Sequence, residues 1–214
     1  MSIAKEKKLA AEAAAELVES GMRVGLGTGS TVAYLLPALA RRGLDVRCVA
    51  TSLATEQQAR ALGLRVETFA GEDSLDRLDL AIDGADQVDP SRWLVKGGGG
   101  AHTREKAVAA AADRFVVIVS SDKLVERLRP PVPLELLEFG LAATLRRLGD
   151  VRLRDVPRSP DSGVIADFTA DFGDAEVLAA RLAAMPGVVE HGLFPPELVS
   201  EVVVGRGDGV ERLL

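Results

Sequence analysis

Four consecutive glycines, Gly97 to Gly100, set the tightest constraint on what this chain can fold into. Glycine adds nothing to a core and loses the most freedom on ordering. A folded domain keeps such a run where backbone must come close to something, or where φ must turn positive. Here the run follows Leu94, Val95 and Lys96 and precedes an alanine-rich helical pattern from Lys106 to Ala112. That order predicts a strand, a tight glycine turn and a helix N-terminus, the architecture of an anion or substrate site. Lys96 on one side and Glu105 on the other add an electrophile and a base.

The rest of the chain repeats that grammar. An amphipathic helix is predicted over 4–20, with Leu9, Ala13 and Leu17 on one face and Gly21 as its cap. Strands are predicted over 22–26, 46–50, 64–69, 78–82 and 115–120, with helices between them ending near Arg42 and Leu62. These strands are short apolar runs rather than alternating ones, as a parallel sheet covered on both faces requires. The fold expected is α/β: a Rossmann-like, mostly parallel sheet with helices on both faces. Three prolines in Pro130-Pro131-Val132-Pro133 mark a junction. Beyond it the pattern reads strand (134–138), helix (141–148), hairpin (151–156 and 164–169), helix (from the Asp174 cap to Met185) and strand (188–194). That βαββαβ order predicts a smaller ferredoxin-like α+β domain. Two last strands, 201–205 and 210–213, are expected to rejoin the first domain. The expected division is therefore 1–129 with 203–214 as the Rossmann-like catalytic domain, and 130–202 as the small one.

Composition narrows the partners. The net charge of −6 argues against nucleic acid, because phosphate-backbone binding needs a basic face. A small anion remains compatible, since a few lysines and backbone amides suffice to hold one. No apolar run approaches the roughly 20 residues that span a bilayer, and the lysine-rich start lacks a signal-peptide core. The chain reads as cytoplasmic. The single cysteine, Cys48, excludes an intramolecular disulfide and a cysteine metal cluster, and its apolar strand setting makes it a core residue.

Three loops carry chemistry. Gly27-Thr28-Gly29-Ser30-Thr31 turns from strand to helix and offers amides and hydroxyls as a phosphate cradle. It lacks the Walker lysine and the dinucleotide spacing; read blandly, it is a turn with Ser30 or Thr31 as N-cap. Asp83-Gly84-Ala85-Asp86 ends a strand at the edge that faces the ligand crevice in open α/β sheets. Its two aspartates suit acid–base work or sugar hydroxyls, and equally a solvated Asp-Gly turn. Glu105 falls in the first turn of its helix if Thr103 is the N-cap, where a carboxylate complements the dipole; the glycine loop and Lys96 beside it favour a base. Lys123, after Ser121-Asp122 at another strand end, suits either reaching an anion at the crevice or an ordinary solvated lysine. His102 and His191 read as structural, and Trp93 as packing. All three loops are expected at the carboxyl edge of one sheet, so they converge on one crevice, with no metal and no cofactor called for.

In order and spacing, Gly-Thr-Gly-Ser-Thr (27–31), Asp-Gly-Ala-Asp (83–86), Lys-Gly-Gly-Gly (96–99), Thr-Arg-Glu-Lys (103–106) and Ser-Asp-Lys (121–123) resemble the type A ribose-5-phosphate isomerases. The Pro-Gly-Val-Val to Gly-Leu-Phe stretch (186–194) does too, so the resemblance covers essentially the whole chain. It implies interconversion of ribose 5-phosphate and ribulose 5-phosphate in the non-oxidative pentose phosphate pathway, without metal or nucleotide, by a homodimer or dimer of dimers. Carried across, it implies Glu105 as proton acceptor, with substrate contacts from Thr28, Gly29, Ser30, Thr31, Asp83, Gly84, Ala85, Asp86, Lys96, Gly97, Gly98, Gly99 and Lys123. Lys7 matches a lysine of the family's first helix. Gln87 and His102 depart from the family's usual acidic and small or aliphatic residues.

The chemistry fits those groups. Moving a carbonyl between C1 and C2 needs one base that takes the C2 proton and returns it to C1 through a cis-enediolate, the role expected of Glu105. Lys96 and the turn amides would stabilise the oxyanion. Asp83 would assist ring opening and move the proton between O1 and O2, with Asp86 orienting it or a hydroxyl. Ser30, Thr31 and Lys123 would hold the phosphate. Two other classes share this outline: a non-catalytic phosphosugar sensor and an amino-sugar phosphate deaminase. An assay on ribose 5-phosphate separates all three.

Overall fold

The structure is a computed structural model and describes residues 2–214. In chain order its elements begin with α1 (Ile3–Ala15), β1 (Arg23–Leu26), α2 (Val32–Arg42), β2 (Arg47–Ala50), α3 (Leu53–Ala61), β3 (Arg65–Val66) and β4 (Leu80–Asp83). Next come β5 (Gln87–Val88), β6 (Leu94–Val95), α4 (His102–Ala110), β7 (Phe115–Ser120), β8 (Val132–Leu136), α5 (Leu141–Leu148), β9 (Val151–Leu153) and β10 (Val164–Phe168). The chain closes with α6 (Ala175–Ala183), β11 (Val188–His191), β12 (Leu193–Phe194), β13 (Glu201–Arg206) and β14 (Gly209–Leu213).

It divides into two compact units. The first comprises Met1–Ala85, Arg104–Leu124 and Glu197–Leu214; the second comprises Asp86–Thr103 and Val125–Pro196. This differs from the expected 130–202 because β5 and β6 pair with β12 in a small antiparallel sheet, which carries 86–103 into the second unit.

The first unit holds a seven-stranded sheet in the order β14-β13-β7-β4-β1-β2-β3, parallel except for the β14 edge. The order reverses between β1 and β4, the topological switch point of a Rossmann-like sheet. Alternate residues of β1 show why helices cover both faces. Val24 and Leu26 lie fully buried in one cluster with Ala10, Ala14, Leu35 and Leu39 of α1 and α2. Gly25 faces the other way, and a Cβ there would lie 2.4 Å from the Val108 side chain of α4. Gly43, at φ 60°, closes α2 in the left-handed conformation that glycine tolerates.

Some expectations are corrected. The first helix stops at Ala15 rather than near residue 20, because the chain tightens there: Leu17 and Val18 donate to Ala14 and Ala15. Its buried face is Glu6, Ala10, Ala11, Ala14 and Ala15, while Leu9, Ala13 and Leu17 are only partly buried. The strand expected over 64–69 is just Arg65–Val66. The strand before the glycine turn, β6, does not belong to the seven-stranded sheet.

The second unit carries a four-stranded antiparallel sheet in the order β11-β8-β10-β9, the ferredoxin-like arrangement. Leu134, Leu136, Ala166 and Phe168 pack with Leu178 and Leu182 of α6 and Leu148 of α5. Asp174 caps α6, accepting from the amides of Glu176 and Val177. The strand expected over 188–194 breaks at Gly192, whose amide donates to Pro133 and whose carbonyl accepts from Lys96. A Cβ at residue 192 would lie 2.1 Å from the Lys96 carbonyl oxygen, so only glycine permits the approach.

Candidate active site

In the first unit the expected groups meet at the switch point. Gly27 follows β1, and Asp83 ends the neighbouring β4. Asp83 is buried, and its Oδ1 accepts from the amides of Thr28 (3.0 Å) and Gly84 (2.7 Å). Two charge-assisted bonds to one oxygen fix the direction of the carboxylate. The Thr28 hydroxyl lies 2.7 Å from that of Thr51, and the Thr55 hydroxyl donates to the Gly27 carbonyl at 2.9 Å. Thr51 and Thr55 are not among the residues the motifs singled out. The signal was there: Thr51-Ser52 links β2 to α3, with Ser52 capping the helix and accepting from the Thr55 amide.

The rest of this loop leads into α2. Gly29 sits at φ 118°, a conformation that side chains resist. Thr31 occupies the N-cap position of α2 without a side-chain cap bond, so the bland reading of a hydroxyl cap does not hold for it. Ser30 is exposed, and Lys7 of α1 donates to its hydroxyl at 2.9 Å. A helix N-terminus with no acidic residue in its first turn, next to an ammonium, is a suitable place for an anion.

Glu105 lies in the first turn of α4 and is buried. It sits one turn before Val108, the side chain that meets Gly25, so both share the helix face that looks onto the sheet. The short connection from α4 to β7 makes the helix run against the strands. Its first turn therefore lies toward their carboxyl ends, the edge that carries Asp83 and Gly27. Lys123 ends a one-turn helix, Ser121–Lys123, after β7 at that same edge, 3.5 Å from Asp122.

Glu6 places that turn. Buried on α1, it accepts from the amide and hydroxyl of Ser121 (2.9 and 2.7 Å) and from the Gly207 amide (3.0 Å). These bonds, led by that of Gly207, hold its carboxyl well below the usual range, at about 2. A carboxylate at i, i+4 from Ala10, in the buried row of a helix, was the overlooked sign. Cys48 is core, as expected, and burial pushes its thiol up to about 12.

In the second unit, Lys96 is buried, its ammonium 5.4 Å from the centre of the Phe194 ring. Its amide is pinned by Gly192 at 2.8 Å. Gly97 and Gly100 take positive φ, 102° and 73°, so the run does turn where only glycine is comfortable. Asp86 accepts from the Gly98 amide at 2.8 Å and so holds the backbone of the glycine turn. His102 is fully buried at the start of α4, and a Cβ on Gly97 would lie 2.6 Å from its Nδ1. His191 is buried and accepts from the Leu193 amide at 3.3 Å, and Trp93 packs on the second unit's core. Thr103 lies inside α4 rather than capping it, and its hydroxyl donates to buried Glu135. Among the described residues no cluster of three or more His, Cys, Asp or Glu is placed to hold a metal, and no helix is long and apolar enough to cross a membrane.

An open sheet in Rossmann order, with carboxylates, hydroxyls and a helix N-terminus gathered at its switch point, defines an α/β enzyme class that handles small polar molecules. Comparison with known proteins makes the class specific. Residues 47–209 match the family model of ribose 5-phosphate isomerase A (phosphoriboisomerase A). The chain is 44% identical to ribose-5-phosphate isomerase A of Methanosarcina acetivorans, over 98% of this chain and 94% of that one. The Neisseria gonorrhoeae ribose 5 phosphate isomerase A structure superposes with a TM-score of 0.93 at 29% identity, covering 99% of this chain and 97% of that one. A D-ribose-5-phosphate isomerase in complex with phospho-erythronic acid superposes with a TM-score of 0.91 at 34% identity, covering 100% and 99%. The chain belongs to the ribose 5-phosphate isomerase A family.

Proposed function

We propose that this protein interconverts D-ribose 5-phosphate and D-ribulose 5-phosphate by proton transfer through a cis-enediolate. One observation carries the mechanism: Asp83 and Glu105, both buried, belong to the switch-point edge of one sheet that also presents the Ser30–Lys7 corner of a helix N-terminus. An anion site beside two carboxylates suits a substrate with a phosphate at one end and exchangeable protons at the other.

Glu105 takes the C2 proton and delivers it to C1. Lys96 stabilises the enediolate oxygen, joined by turn amides of Gly97 and Gly99; the Gly98 amide already serves Asp86. Asp83, aimed by its two amide donors, opens the ring and moves the proton between O1 and O2. Thr28, Gly29, Ser30 and Thr31 receive the phosphate, with Lys7 and Lys123 adding charge, and Gly84 and Ala85 line the sugar. This remote binding holds the reacting carbons in place. The enzyme works in the cytoplasm, in the non-oxidative pentose phosphate pathway, as a homodimer or dimer of dimers. The test is turnover of ribose 5-phosphate in deuterated water. Ribulose 5-phosphate should form with solvent deuterium at C1, whereas release of ammonia from an amino-sugar phosphate, or binding without turnover, would point to the other two classes.

A further inference from the structure

The second unit contains an arginine that no reading of the motifs singled out. Arg154 follows β9, and its guanidinium is engaged on both sides. Nε and Nη2 donate to the two oxygens of Asp167 at 3.0 and 2.6 Å. Nη1 donates to the carbonyls of Gly97 (2.9 Å) and Gly98 (3.0 Å). Asp167 is buried in β10 and has a more distant second cation, Arg152 at 3.6 Å. The fork therefore has a fixed base and a working end, and the working end grips the glycine turn.

A trans peptide points its carbonyl and the next amide in opposite directions. Holding the Gly97 carbonyl turns the Gly98 amide away from the guanidinium, where Asp86 accepts it. That peptide is held at both ends. Holding the Gly98 carbonyl turns the Gly99 amide to the same side. Packing cannot do this: a Cβ on Gly99 would meet nothing within 4 Å, and a cavity of about 860 Å³ borders Gly98 to Gly100. Glycine has no rotamer or Cβ to restrict the turn by itself.

We propose that Arg154, anchored by Asp167, is a positioning residue that aims the Gly99 amide for the isomerase reaction. The link to catalysis rests on the function proposed above; the hold on the turn does not. Lysine cannot replace it, because a single ammonium cannot grip a carboxylate in two places and two carbonyls at once.

The test uses the full-length protein with Arg154→Lys and Asp167→Asn, each checked by thermal melting, and glycine labelled with ¹⁵N. Without substrate, the Gly98 and Gly99 amide resonances should shift or broaden in both variants. With ribose 5-phosphate, kcat should fall on the order of 10–10²-fold, as misplacement by about 1 Å can produce, while KM stays within about threefold. A variant that melts far below wild type, with KM and kcat altered together, would make the pair merely structural and overturn the proposal. Unmoved glycine resonances, or kcat within about threefold of wild type, would overturn it too. If the wild type itself does not isomerise ribose 5-phosphate, the functional reading falls and the catalytic part of the proposal with it; the resonances then decide the hold on the turn.

Discussion

Gly27 and Asp83 share one volume. A Cβ on residue 27 would lie 1.9 Å from the Asp83 Cγ and Oδ1, in a place where only hydrogen belongs. The carboxylate is thus aimed by the amides it accepts from and by the absence of a methyl group beside it. Gly27→Ala should push Asp83 off the Thr28 amide and lower kcat/KM on the order of 10²-fold. Steady-state kinetics together with the Thr28 amide resonance check this. An unchanged rate would mean that Asp83 has no aimed role.

Lys7 donates to Ser30 at the N-terminus of α2, and in the proposed function this corner receives the anionic end of the substrate. Lys7→Ala removes a charge from the helix N-terminus but touches no reacting group. A charge-assisted hydrogen bond is worth about 1.5–3 kcal/mol, so KM for ribose 5-phosphate should rise on the order of tenfold or more, with kcat little changed. A fall in kcat at constant KM would place Lys7 in the chemistry instead.

Glu6 makes stability depend on acid. Its carboxyl sits at about 2 in the fold against 4.5 ordinarily. The unfolded chain therefore binds this proton first as pH drops, and the stabilisation, complete above about pH 5, is lost as pH falls toward 2. Glu6→Gln should unfold more easily than wild type at pH 7, and the gap should narrow steadily between pH 5 and pH 3. Urea titrations at several pH values measure it. A gap that stays constant over that range would remove Glu6 from the acid response.

Cys48 is fully buried, with its thiol pushed up to about 12. Only a thiolate reacts readily. The folded protein at pH 8 should resist a chromogenic disulfide reagent for hours, and react within minutes in guanidinium. Rapid labelling of the folded state would contradict its place in the core.

Much of this architecture was legible in the sequence because parallel strands buried on both faces write themselves as apolar runs, as in Phe115 to Val119, all nearly fully buried. The glycines at 27, 29 and 97 declared turns that the backbone uses. Two things were hidden. Alanine covers several faces of α1, so the leucine spacing pointed to Leu9 and Leu17 while Ala10, Ala11 and Ala14 took the core. The partners of β6 come from Gln87–Val88 and from Leu193–Phe194, distant in sequence, and two-residue strands carry no periodicity. Gly192 was the available clue, since an isolated glycine in a strand pattern marks a close backbone approach. Arg154 had no such sign: its partners are backbone carbonyls, and nothing in a sequence records which side chain they meet.

The central claim is that Glu105 carries the proton, and one substitution addresses it most directly. Glu105→Gln keeps the shape of the side chain and removes the base. Turnover of ribose 5-phosphate should fall by about 10²–10⁴-fold, the contribution typical of a positioned base, while ribose 5-phosphate itself still binds with near wild-type affinity. Turnover within about tenfold of wild type, with binding intact, would show that another group moves the proton.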